Sequence, residues 1–194
     1  MRGFTLIEML IVVAIIGILA ALLIPNAMSA LQKAKQKGTI KDINTIATGL
    51  MDYVTDKGGF LASASPSAVW SGALTDNCSL IQALQGFYVK VFPAKDQWGN
   101  YFYVWTGKES IADAWYVGAN IADPGDDDFA VGSAGRNGTA GDYTGYDSSD
   151  PSTGFYEVSS MKDFNNEILN WNGSIVIGPR TAGQTSGTGT GTGS

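Results

Sequence analysis

The chain contains no histidine. That excludes histidine-based catalytic triads and histidine metal sites, and weakens an enzyme reading without excluding carboxylate or lysine chemistry. A single cysteine, Cys78, rules out an internal disulfide. Charge is also scarce: charged residues make up 15% of the 194 residues, with a net charge of −6. An acidic chain without a basic stripe argues against nucleic acid as a partner. No convergent set of catalytic groups stands out, so an enzyme is the least favoured class.

What the sequence does have is a long apolar run at its amino terminus. Met1-Arg2-Gly3 precedes Phe4-Thr5-Leu6-Ile7-Glu8, and an apolar stretch then runs from Met9 to Ile24. Phe4 to Ile24 is 21 residues, about 31 Å as a helix, which matches a hydrocarbon core of about 30 Å. A secretory signal would have an apolar core of about 7–15 residues, shorter than this one, and Ala27-Met28-Ser29 is a weak cleavage site. An ordinary single-span anchor explains the length but neither Glu8 nor the Gly3-Phe4 junction. Glu8 is the only charge in the segment. A carboxylate in lipid costs about 3 kcal/mol or more, so it needs a partner or must snorkel to the membrane edge about one turn away.

Gly3-Phe4-Thr5-Leu6-Ile7-Glu8 resembles the processing site of type IV pilins and the related pseudopilins, and the resemblance extends through Gly17 and Pro25. It implies that a prepilin peptidase cuts after Gly3 and that the new amino group of Phe4 is methylated. It assigns Thr5 and Glu8 to assembly, and makes Gly17 and Pro25 helix-weakening positions. The physics of Glu8 agrees. Once the leader is gone the net charge becomes −7 and Phe4 carries a positive amine. That amine cannot easily reach Glu8 of its own straight helix, whereas the amine of a neighbouring copy can, so the pair favours stacking in register. The leader is short, with Arg2 its one basic side chain, and the lone cysteine departs from the disulfide that many pilins carry. Lys33, Lys35, Lys37 and Lys41 follow the span. The positive-inside rule would place them in the cytoplasm. The resemblance puts the carboxy-terminal domain outside, where these lysines are either a solvated helix face or partners for carboxylates of adjacent subunits.

The helix is expected to continue past Pro25, with an apolar stripe of Leu31, Ile40, Ile43, Ile46, Ala47, Leu50, Tyr53 and Val54, and to stop at Lys57-Gly58-Gly59. Residues 60–96 read as a connection with a short helix at Leu80–Leu84. Tyr101–Trp105, Trp115–Ala119, Phe129–Gly132 and Ser174–Ile177 read as antiparallel strands. The clustered aromatics of this region read as sheet core. The expected fold class is α+β, with a small antiparallel sheet on the second half of a long helix. The expected divisions are a leader at 1–3, a membrane and assembly helix at 4–28, an extracytoplasmic domain at 29–180, and a flexible Gly/Thr/Ser tail at 181–194.

Asp96-Gln97-Trp98-Gly99-Asn100-Tyr101 is similar to the Asp-Pro-Trp-Gly-Asn-Pro-Tyr segment of type II secretion major pseudopilins, with Gln97 and Tyr101 in place of prolines. Ser133-Ala134-Gly135-Arg136-Asn137-Gly138 is similar to their Ser-x-Gly-x-Asp-Gly turn, with Asn137 in place of Asp. Those proteins close their last loop with calcium. Asn137, Asp142, Asp147 and Asp150 are the candidate oxygen ligands here, the alternative being an acidic surface loop.

The expected function is a type IV pilus-like filament subunit with no catalytic activity. Its partners are copies of itself, the prepilin peptidase, an inner-membrane assembly platform and, before assembly, the membrane. It starts in the inner membrane and ends in an extracellular pilus or a periplasmic pseudopilus. The rivals are a major pseudopilin of type II secretion and a membrane-anchored binding domain that never polymerises.

Overall fold

The structure, a computed structural model, describes residues 4–60, 69–108, 124–141, 147 and 150–180. The chain divides into two compact units, Met1–Lys35 and Gln36–Ser194. Helix α1 spans Leu6–Lys57 and runs through Pro25. The lost backbone donor is followed at once by Asn26, whose Nδ2 donates to Leu22 O at 3.4 Å. The helix ends where expected: Gly58, at φ 75°, donates its N–H to Val54 O at 2.7 Å, which satisfies one of the last carbonyls.

Within the first unit, fourteen large apolar side chains between Leu6 and Ile24 are exposed. Leaving them in water would cost tens of kcal/mol at about 1.5–3 kcal/mol each, so this segment requires lipid or protein around it. The helix is long and apolar enough to cross a membrane.

Within the second unit, α1 from Gln36 onward buries one face. Gln36, Thr39, Ile43, Ile46, Ala47, Gly49, Leu50 and Tyr53 are its buried positions. The expected stripe therefore begins at Gln36; Leu31 is exposed. Gly49 is buried because Val89 closes on the helix backbone there, leaving no room for a Cβ.

The sheet comprises β1 (Ser71–Ala73), β2 (Tyr103–Thr106), β3 (Phe129–Ser133), β4 (Phe155–Tyr156), β5 (Ile168–Trp171) and β6 (Ser174–Pro179). Its order is β1-β2-β3-β5-β6-β4. All neighbours are antiparallel except β4 and β6, which pair in parallel at one edge. One face carries Val104, Phe129, Val131 and Ile168 in a core shared with Ile43, Ile46 and Leu50 of α1 and with Leu80 and Leu84 of α2 (Ser79–Leu84). The opposite set, Trp105, Ala130, Leu169, Ile177 and Tyr156, forms a second cluster, as strand alternation requires.

The α+β expectation is met, with α2, β3 and β6 close to their expected bounds. Two strands differ. The run at Tyr101–Trp105 enters the sheet at Tyr103, because Tyr101 is spent on an isolated bridge to Lys95. The connection from 60 to 96 also contains β1, which has little apolar character and is recruited by pairing with β2. The strand expected at Trp115–Ala119 lies outside the described residues.

Candidate functional site

The amino-terminal element is built around Thr5, which precedes the first residue of α1. Its backbone N–H and its hydroxyl both donate to Glu8 Oε2, at 2.8 and 2.7 Å, while the Glu8 N–H points back to Thr5 Oγ1 at 3.4 Å. This is a capping box: each side chain satisfies a donor that the helix start leaves open. Thr5 O accepts from Met9 N at 3.4 Å, which makes Thr5 the cap residue. The Thr-x-x-Glu spacing carried that signal in the sequence, and the membrane reading of Glu8 passed over it. Both Thr5 donors use Oε2; Glu8 Oε1 has no hydrogen-bond partner among the described residues. Phe4 is exposed, and Gly3 lies outside the described residues. Gly17 has nothing within 4 Å of where a Cβ would sit, so no neighbour in this chain demands a glycine there.

In the second unit, the two motif segments meet. The Asp96 carboxylate is buried. Its Oδ1 accepts from Trp98 N at 3.0 Å and Asn100 N at 2.9 Å, and its Oδ2 accepts from Ser133 Oγ at 2.8 Å. Asn100 Nδ2 donates to Gly135 O at 2.9 Å. The other side of the turn holds α1: Gln97 N donates to Thr39 Oγ1 at 3.3 Å, and Gln97 Nε2 to Asp42 Oδ2 at 2.7 Å. A Cβ at Gly38 would stand 2.8 Å from Gln97 Cγ, so glycine makes room for this side chain. The residues 96–100 thus clasp the helix to the end of β3. Burial pushes the Asp96 carboxyl above the usual aspartate range, against the pull of Ser133 and the backbone donors.

The candidate calcium ligands are of the right chemistry, oxygen donors on a polar loop. Asn137 Oδ1 accepts from Thr139 N at 3.1 Å, and Asp150 Oδ1 accepts from Ser152 N at 3.1 Å and Ser152 Oγ at 2.6 Å. Asp147 and Asp150 form an isolated backbone bridge. Asp142 lies outside the described residues. Among the described residues, no three acidic or cysteine side chains come together as a metal would require. A carboxylate that the sequence reading did not single out, Glu167, is fully buried and accepts the Gly141 N–H on Oε1. Its burial comes from tertiary packing, which no local pattern announces.

The sequence profile of the prokaryotic N-terminal methylation motif matches residues 1–24. Type II secretion system core protein G of Pseudomonas aeruginosa is 35% identical over 129 residues, covering 66% of this chain and 90% of the relative. The protein of the same name from Vibrio cholerae is 32% identical over 125 residues, covering 64% of this chain and 84% of the relative. That from Klebsiella pneumoniae is 26% identical over 136 residues, covering 70% of this chain and 96% of the relative. No solved structure matches the chain. With a prepilin-type start, an α+β fold and this similarity along most of the relatives' length, the chain belongs to the family of type II secretion system core protein G, the major pseudopilins.

Proposed function

We propose that this chain is the structural subunit of a pseudopilus, the helical filament of a type II secretion system. The observation that carries the reading is the exposed apolar segment of α1 from Leu6 to Ile24, in a chain whose second unit has its own packed core. Such a segment is stable in a bilayer as a precursor and among copies of itself in a filament, because helix packing replaces lipid contacts at similar cost. The similarity to core protein G favours the secretion filament over a surface pilus.

In this reading the prepilin peptidase removes residues 1–3 and Phe4 becomes the methylated amino terminus. Glu8 then has two tasks. Oε2 holds its own Thr5 and closes the helix start, and Oε1 faces the charged amine of an adjacent copy. Binding, not bond chemistry, is the function; assembly energy comes from a separate platform in the inner membrane. Calcium at the loop containing Asn137, Asp142, Asp147 and Asp150, implied by the family resemblance, would show as a calcium-dependent rise in melting temperature that Asp142→Asn removes.

Two measurements test the main reading. Mass spectrometry of the mature chain should find methyl-phenylalanine at Phe4. A deletion strain should fail to export a folded protein, with no loss of long surface filaments. An amino terminus at Met1 in the mature chain would overturn processing, and loss of surface filaments with intact export would reassign the filament to a pilus.

A further inference from the structure

Lys37 and Lys41 lie one turn apart on α1, and Asp52 and Asp56 lie one turn apart further along it. All four side chains are exposed. At about 100° per residue they fall within a face about 100° wide, opposite the buried Ile43, Ile46 and Leu50. Neither lysine has a salt-bridge partner among the described residues. Asp56 neighbours the Tyr88 hydroxyl, which burial and this carboxylate together hold above the usual phenol range.

The spacing points to a partner. Lys37 to Asp52 and Lys41 to Asp56 are each fifteen residues, about 22 Å along the axis. That exceeds the Debye length of about 8 Å at physiological salt, so the pairs do not interact within one chain. A second helix, parallel and displaced by fifteen residues, sets both lysines opposite both aspartates at once. A displacement of eleven or nineteen residues makes only one pair. Membrane insertion gives every copy the same direction, so parallel is the arrangement available.

We propose that this face of α1 is an interface between copies of the chain, in which Lys37 and Lys41 of one copy pair with Asp52 and Asp56 of a copy displaced by about 22 Å along the helix axis. The contact is heterologous: lysines on one copy meet aspartates on the next, so each copy retains a free set of each sign. Such a contact propagates instead of closing. Asn44, Thr45 and Thr48, exposed between the two pairs, add no charge to disturb the match. The inference rests on the reading of the chain as a filament subunit.

The test is zero-length carbodiimide cross-linking of filaments grown from mixed nitrogen-15 and unlabelled full-length copies, read by mass spectrometry. Mixed-isotope links Lys37–Asp52 and Lys41–Asp56 are expected. Links Lys37–Asp56 and Lys41–Asp52 would reveal an antiparallel pair and overturn the proposal, as would filaments carrying neither set. Reversal in K37D/K41D should lower filament yield about tenfold, from two lost attractions and the new repulsions. Adding D52K/D56K should restore it, and failure of that rescue counts against the pairing. A chain that forms no filaments at all overturns the functional reading itself, whereas filaments lacking these links overturn the contact alone.

Discussion

Ser133 Oγ donates to Asp96 Oδ2 across 2.8 Å, joining the last residue of β3 to a turn that is also bound to α1. Both side chains are buried. Removing the hydroxyl leaves an acceptor in the interior with no replacement, which typically costs about 1–3 kcal/mol. Ser133→Ala should therefore destabilise the full chain by that amount in denaturant unfolding, with little change in the m-value. An unchanged midpoint would show that water takes the place of the hydroxyl.

The same carboxylate sets a pH dependence. Its folded pKa is raised by burial, so the folded state holds the proton more tightly than the unfolded chain does. Stability from this group is full below the unfolded aspartate pKa and is lost as pH rises through the folded value. Asp96→Asn has no such titration. The difference in unfolding free energy between Asp96→Asn and the parent should move in favour of the variant as pH rises from the unfolded aspartate pKa through the folded one. A shift in the opposite direction would mean that the donors from Ser133, Trp98 and Asn100 outweigh burial.

Gly135 follows the same strand end at φ 69°, and a Cβ there would stand 2.5 Å from Asn165 O. Left-handed backbone and a fixed carbonyl both oppose a side chain. Gly135→Ala should cost about 2 kcal/mol or more, whereas Gly17→Ala, with open space around it, should leave the domain's melting temperature unchanged. Comparable melting temperatures for Gly135→Ala and the parent would show that the turn shifts freely.

Much of the fold was legible in local pattern. The 3.6 periodicity from Ile40 to Val54 marks the packed face of α1, and Lys57-Gly58-Gly59 marks its end, because both signals are local. β3 and β6 read as strands for the same reason. β5 did not: Ile168-Leu169-Asn170-Trp171 hides a strand behind a buried Asn, whose Oδ1 accepts from Gly173 N at 2.9 Å. The chain then reverses into β6 through Asn172-Gly173, a two-residue turn with φ 46° and 87°. The meeting of Asp96 with Ser133 was not legible at all, since the two motifs are separated by 37 residues and only tertiary packing brings them together.

Thr5 and Glu8 allow the helix-capping and assembly roles to be separated. Glu8→Gln keeps an oxygen for the Thr5 N–H and hydroxyl but loses the negative charge. Its helix start should remain protected in hydrogen exchange, while filament assembly fails, because an amide offers a neighbouring amine no counter-ion. Thr5→Ala does the reverse: it removes the hydroxyl half of the box at a cost of about 1 kcal/mol of local helix stability, and keeps the charge. Its first turn should exchange faster while filaments still form in electron micrographs. If Glu8→Gln assembles as well as the parent, the glutamate acts only as a cap, and the charge pair between copies is not what holds the filament together.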